Sequence, residues 1–233
     1  MICPCTSVGA VRAWFTWVRR LPQSVSHHGA AAGEQLGPHR HLPVTSVGGV
    51  RVGLSIPTMD EPSALLDLGV AAEANGWDGV YLWHHVIGTP DFAVPMADTW
   101  VLLGALAART ERIRLGTTIT ALPRHLPQEV ARQTVTLDRL SGGRMVLGVG
   151  LGEPPSEYTA IGRSADRVVL ASMLDEALEV VSGLWSGQPF SHHGAYYSFD
   201  DVQDLPTPLQ QPRIPVWVSA MARNERTLGR AAR

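Results

Sequence analysis

Residues 127–152 read PQEVARQTVTLDRLSGGRMVLGVGLG, and the order of elements within them decides the fold. Pro127 suits the first turn of a helix, where its missing N–H would have no partner in any case. Residues 127–140 read as that helix, closed by the double-glycine stop Gly142-Gly143. Residues 144–149 (RMVLGV) then run almost continuously apolar, as a strand covered on both faces does. Gly148, Gly150 and Gly152 alternate along the strand and the loop after it, allowing a ligand close to the backbone. A helix feeding a buried strand that ends in a glycine loop is one unit of a parallel α/β sheet.

The same alternation extends in both directions. Residues 50–56 (VRVGLSI) read as a strand closed by Pro57, and residues 61–75 as a helix with Leu65, Leu66, Leu68, Val70 and Ala71 in its apolar stripe. Residues 78–83 (DGVYLW) are a second strand, 98–109 a helix and 113–120 (IRLGTTIT) a third strand. Beyond the opening stretch come a long helix over 168–185, a fifth strand at 214–219 (IPVWVS) and the start of a helix at 224–233. Residues 188–199 read as a small hairpin around Gly194. Ser55-Ile56-Pro57 occupy the turn where a dinucleotide-binding sheet carries G-x-G-x-x-G, which turns the reading from a Rossmann sheet towards a barrel. Parallel barrels place their chemistry on the loops after the strand C-termini.

Composition sets limits on function. The chain has 233 residues, 45% hydrophobic and 17% charged, enough to bury a sizeable core. Its net charge of -2, from 19 basic residues (all arginine) and 21 acidic ones, excludes a dedicated nucleic-acid binder. No run approaches the roughly 20 apolar residues that span a bilayer. Cys3 and Cys5, separated by one residue, make neither a disulfide framework nor a complete zinc site, so a reducing, cytoplasmic setting is expected. Residues 1–47 carry no sustained period and read as a disordered extension, or as sequence translated upstream of the true start; residues 48–233 carry the fold.

The strand ends hold the chemistry-bearing residues. After the second strand come His84 and His85; neighbours on a strand point to opposite faces, so only one imidazole enters a barrel lumen directly. A hydrolytic metal site on a barrel needs two inward imidazoles one residue apart, which this pair does not offer, and no metal site is expected. Thr117, Thr118 and Thr120 close the third strand, followed by Arg124, which is read as an anion contact or simply as an exposed arginine. The turn at 138–144 lies at the opposite end of a barrel, where stability rather than chemistry is decided. His192 and His193 read as exposed residues of the hairpin.

The run 137–152 (LDRLSGGR, strand, then GVGLG), the GTTIT strand at 116–120, WDGVYLW at 77–83 and IPVWV at 214–218 together resemble the bacterial luciferase-like family of flavin-dependent oxidoreductases. The resemblance implies a (β/α)8 TIM barrel that binds reduced FMN or the deazaflavin coenzyme F420. It implies hydride transfer or oxygen activation, commonly as a monooxygenase, on a small organic substrate, with pairing into a homodimer. The family's acid–histidine pair falls on His84 and His85, both expected to be catalytic: His85 as acid/base or flavin contact, and His84 in the place where an acid is usual. Thr118 and Ile119 fall where a cis peptide backs the flavin ring. Gly150, Leu151, Gly152 and Ser156 fall on the ribityl and phosphate end, and Ser219 and Ala220 on the phosphate loop, where the following Met221 is bulkier than the family's glycine. Only about five strands lie within 48–233, so the barrel is expected to be truncated at the C-terminus, and a catalytically inactive family member is the alternative reading.

Overall fold

A computed structural model describes residues 51–88, 94–219 and 228–230. The chain runs β1 (Gly53–Ile56), α1 (Pro62–Ala74), β2 (Gly79–His84), α2 (Thr99–Arg109), β3 (Arg114–Ala121), α3 (Pro127–Leu140) and β4 (Met145–Gly150). A four-residue helix α4 (Ser156–Thr159) and the long α5 (Arg167–Trp185) follow. Then come the antiparallel hairpin β5–β6 (Phe190–His193, Ser198–Val202) and β7 (Val216–Val218). The sheet order is β1-β2-β3-β4-β7, with every neighbouring pair parallel. The five expected strands and four of the expected helices are in place. The helix expected at 224–233 falls largely outside the described residues, of which 228–230 are helical, and the expected extension at 1–47 lies outside them entirely.

Strand alternation sorts the side chains into two faces. Val80, Leu82, Leu115, Met145, Leu147 and Val149 face the helices and pack with Leu102, Leu103 and Leu106 of α2, Val130 of α3 and Leu174 and Val181 of α5. Each side chain buried so fully adds about 1.5–3 kcal/mol, which makes this layer the main adhesive of the fold. Side-chain caps start two of the helices: Asp98 accepts from the Val101 N–H at 2.8 Å, and Asp166 from the Val168 N–H at 2.7 Å.

The opposite face is the lumen, and its floor is Tyr81. A Cβ on Gly53 or Gly79 would lie 2.5 Å from the Tyr81 ring or hydroxyl, and one on Gly116 would lie 3.1 Å from the ring. Three neighbouring strands thus give up side chains to seat one phenol. The indole of Trp217 packs against it with ring centres 4.6 Å apart and stays 46% exposed.

The turn after α3 is built as a lock. Asp138 is fully buried and accepts hydrogen bonds from the Leu209 and Gln210 N–H groups and the Gln210 amide, tying the segment before β7 to α3. Gly142 (φ +69°) and Gly143 (φ +87°) reverse the chain in the left-handed region. Arg144 then spreads its guanidinium over the carbonyls of Ala107, Thr110, Ile113 and Ser141. The turn holds α2, α3 and the sheet together at the start of β4, the end of the sheet at which its place in the sequence puts it.

Candidate active site

The two histidines after β2 separate as strand geometry requires. His84 points to the helix side, is 7% exposed, stacks on His125 at 4.5 Å between ring centres and meets the Trp100 ring edge-on. Its protonation is settled by a chain of hydroxyls. Thr117 Oγ1 donates to the Gly148 carbonyl (2.8 Å) and Thr120 Oγ1 donates to Thr117 Oγ1 (3.1 Å). Thr120 has therefore spent its proton, and it accepts from His84 Nδ1 at 3.2 Å. Burial first, then the charges of His125, Arg124 and His85, pushes the His84 pKa down to about 3, so the ring is neutral.

His85 lies at the top of the lumen side, and its Nδ1 sits 2.5 Å from Oε1 of Glu157. Glu157 comes from α4, which follows the β4 loop, and is only 1% exposed. The other carboxylate oxygen accepts from the Val86 N–H at 3.2 Å and from Arg124 Nη1. Arg124 is itself 5% exposed, so the expectation of an exposed arginine is corrected: it stands under the β4 loop as the countercharge of a buried acid. Its guanidinium also lies 4.6 Å from the Tyr158 ring centre, and the Tyr158 hydroxyl donates to the Leu151 carbonyl at 2.5 Å. Burial would raise the Glu157 pKa, but the His85 hydrogen bond, the Arg124 and His85 charges and the Val86 N–H together hold it below the usual carboxylate value. The group is a carboxylate that only accepts, so His85 donates from Nδ1.

Beside this cluster the lumen wall is formed by residues from four strands. Ser55 of β1 bridges Thr118 Oγ1 (2.8 Å) and Trp83 Nε1 (3.0 Å). The Thr118–Ile119 peptide is cis, and the register between β3 and β4 shifts across Gly116 to Thr120. A Cβ on Gly150 would lie 3.1 Å from both Ile119 Cδ1 and Ser219 Cβ, so these three residues share one patch of wall. The Ser219 N–H is held by the Val149 carbonyl at 2.8 Å, while Ala220 lies outside the described residues. Gly152 (φ +81°) packs on Arg124: a Cβ there would fall 2.4 Å from Nη2.

The profile of the luciferase-like monooxygenase family matches residues 37–233. The chain belongs to the luciferase-like monooxygenase family. It is 37% identical over 166 residues to a protein of Microbacterium testaceum named F420-dependent glucose-6-phosphate dehydrogenase, covering 68% of this chain and 47% of that one. A protein of the same name from Nakamurella multipartita is 33% identical over the same shares. The chain therefore spans about half the length of the curated relatives it matches. Among solved structures, an F420-dependent secondary alcohol dehydrogenase holding an F420–acetone adduct superposes with a TM-score of 0.70 at 26% identity, over 78% of this chain and 55% of that one. A monooxygenase from Streptomyces bottropensis gives 0.69 at 27% identity, over 78% and 57%.

In this luciferase-like fold, Ile119, Gly150 and Ser219 meet on one wall with Thr118 joined to Ile119 by the cis peptide, and His85 follows the neighbouring β2. Leu151 and Gly152 are drawn instead onto Tyr158 and Arg124, and Ser156 opens α4 next to Glu157. His84, expected in the catalytic pair, stands behind the sheet against Thr120 and His125 instead of beside His85. The sequence reading missed Glu157: an acid followed by an aromatic, just after a glycine loop and Pro154-Pro155, was its one available signal. In the hairpin, His193 is exposed and bridges Asp200, but His192 is buried and pairs with Glu176 at 3.3 Å, which corrects the expectation that both are exposed.

Proposed function

We propose that the chain is a flavin- or deazaflavin-dependent oxidoreductase of the luciferase-like class, with F420 as the leading coenzyme and FMN as the alternative. The observation that carries the reading is the juxtaposition, at the C-terminal ends of β2, β3 and β4, of the His85–Glu157 pair with the wall of Thr118, Ile119, Gly150 and Ser219. That wall fits a flat tricyclic ring. Ile119 is half-buried and apolar, Gly150 leaves the space a Cβ would fill, and the Ser55 and Thr118 hydroxyls offer polar edges. The F420-dependent dehydrogenases among the relatives support the choice of coenzyme.

When bound, the coenzyme supplies the hydride acceptor or donor. The chain's own residues do the rest. Oxidising a small alcohol removes one hydride from carbon and one proton from oxygen, and His85 Nε2 takes the proton as general base, returning it in the reverse direction. Glu157, braced by Arg124, holds that imidazole at Nδ1, while Trp83 and Trp217 offer ring surface on the same face of the sheet. Oxygen joins the reading as a second substrate when FMN is the cofactor, and a cytoplasmic homodimer completes it. Among the described residues, no helix is long and apolar enough to cross a membrane.

The test is a fluorescence titration of the purified chain with F420 and FMN side by side. Saturable micromolar binding of F420, tighter than FMN, is the expected result. A folded chain that binds neither coenzyme refutes the reading and leaves the inactive family member in its place.

A further inference from the structure

His84, the residue immediately before His85, is turned away behind the sheet and committed to Thr120. A carboxylate nevertheless reaches the His85 ring from a different element. Oε1 of Glu157 lies 2.5 Å from His85 Nδ1, and its partner oxygen is fixed by two donors of different kinds, the Val86 N–H and the Arg124 guanidinium. All three charged or polar partners are largely or fully buried, with the His85 side chain only 13% exposed and that of Glu157 1%. The carboxylate is thus clamped in position before it meets the imidazole, rather than swinging to follow it.

We propose that Glu157 is the positioning residue of His85, fixing the imidazole as its Nδ1–H tautomer and so making Nε2 the proton-handling atom, with Arg124 holding Glu157 in place. The proposal rests on the reading of His85 as the acid/base group. A carboxylate that orients an imidazole from its far nitrogen fixes both tautomer and ring angle, and losing it impairs turnover far more than binding. Arg124 neutralises the carboxylate, so the cluster carries no net charge while His85 is neutral and the buried acid does not stand alone. Tyr158, adjacent to Glu157, closes over the Arg124 guanidinium and donates a hydrogen bond from its hydroxyl to the Leu151 carbonyl, so α4 grips both the arginine and the glycine loop.

The experiment is side-chain nitrogen NMR of 15N-histidine-labelled chain, with the His85 resonances assigned by their loss in His85→Gln. At a pH where the ring is neutral, the wild type is expected to show a protonated Nδ1 and an unprotonated Nε2. Glu157→Gln is expected to bring in the opposite tautomer, because an amide can donate as well as accept. In turnover with the coenzyme that binds, the same variant should lose about 100-fold or more in kcat with KM within a few-fold of wild type. Glu157→Gln leaves Arg124 buried and uncompensated, so Glu157→Gln/Arg124→Gln, which removes both charges, serves if the single variant fails to fold. A wild-type His85 found in the Nε2–H form overturns the proposal, and so does an unchanged tautomer in the folded variants. The NMR arm needs no coenzyme, so failure of the titration above and failure of this proposal are separate outcomes.

Discussion

Acid should unfold this protein through the His84–His125 stack, and the size of the effect follows from the burial of the two rings. In the unfolded chain both titrate near the ordinary value of 6.5, whereas in the fold His84 takes its proton only at about 3 and His125 at about 4. Burial is the first cause for both; the charge of Arg124 opposes protonation of each, and His125 and His85 add to this at His84. The unfolded state therefore binds more protons over this interval. Stability is full above pH 6.5 and is lost as pH falls towards the folded values. At pH 5, still above both folded values, each ring has cost the fold about 2 kcal/mol relative to pH 7. The loss at that pH is governed by the unfolded pKa and depends little on how far below 5 the folded one lies.

The perturbation is His84→Asn, whose side-chain amide can still donate to Thr120 but does not titrate. Urea unfolding followed by tryptophan fluorescence, at pH 7 and pH 5, reads the difference. The variant should be less stable at pH 7, since it loses ring contacts with Trp100 and His125, yet its fall between the two pH values should be smaller than wild type's by about 2 kcal/mol. An identical fall in variant and wild type would refute a neutral, proton-excluding His84.

Gly148→Ala should abolish the fold or cost more than about 3 kcal/mol, because its Cβ would stand 2.0 Å from the Thr117 carbonyl oxygen on the adjoining strand. Gly104→Ala, in the middle of α2 with nothing within 4 Å of the new Cβ, should instead raise stability by about 0.5–1 kcal/mol; thermal melts by circular dichroism separate the two. Asp138→Ala strips the acceptor from two backbone N–H groups and the Gln210 amide, and should cost about 3 kcal/mol in urea unfolding. A loss under 1 kcal/mol would show that the turn is not a lock.

The layering of the fold was legible because its signals are local. The strands at 78–83 and 144–149 announce themselves as apolar runs, and Pro127, Asp98 and Gly142-Gly143 mark helix ends with residues suited to them. The hairpin was equally plain, since aromatic residues flank Gly194 at short range. The site was legible only in part. His85 and Thr118 could be placed from the strands that carry them, but Glu157 lies 72 positions from His85 and 33 from Arg124, and its four-residue helix is too short to leave a period. Nothing local in Arg124 distinguishes a buried countercharge from a solvated arginine; that difference is made by Tyr158 and Gly152 closing over it. That His84 and His85 point to opposite faces followed from alternation, while the side that His84 takes was visible only in the fold and its tautomer needed the hydroxyl chain through Thr120 and Thr117.

Tyr81 and its three glycines form one packing unit assembled from three strands. A Cβ at 53, 79 or 116 would meet the phenol at 2.5–3.1 Å, so none of the three positions can gain a side chain unless the ring moves. Burial raises the Tyr81 pKa while the charges of Arg51 and Arg114 lower it, and those two arginines line a cleft with Arg112, Glu73 and Asp78. The ring therefore fills the gap between a glycine-lined face and a group of guanidinium charges. Tyr81→Ala would leave that gap as a void and should cost about 3–5 kcal/mol in urea unfolding; a loss under 1 kcal/mol would show that the glycines make room for nothing the fold depends on.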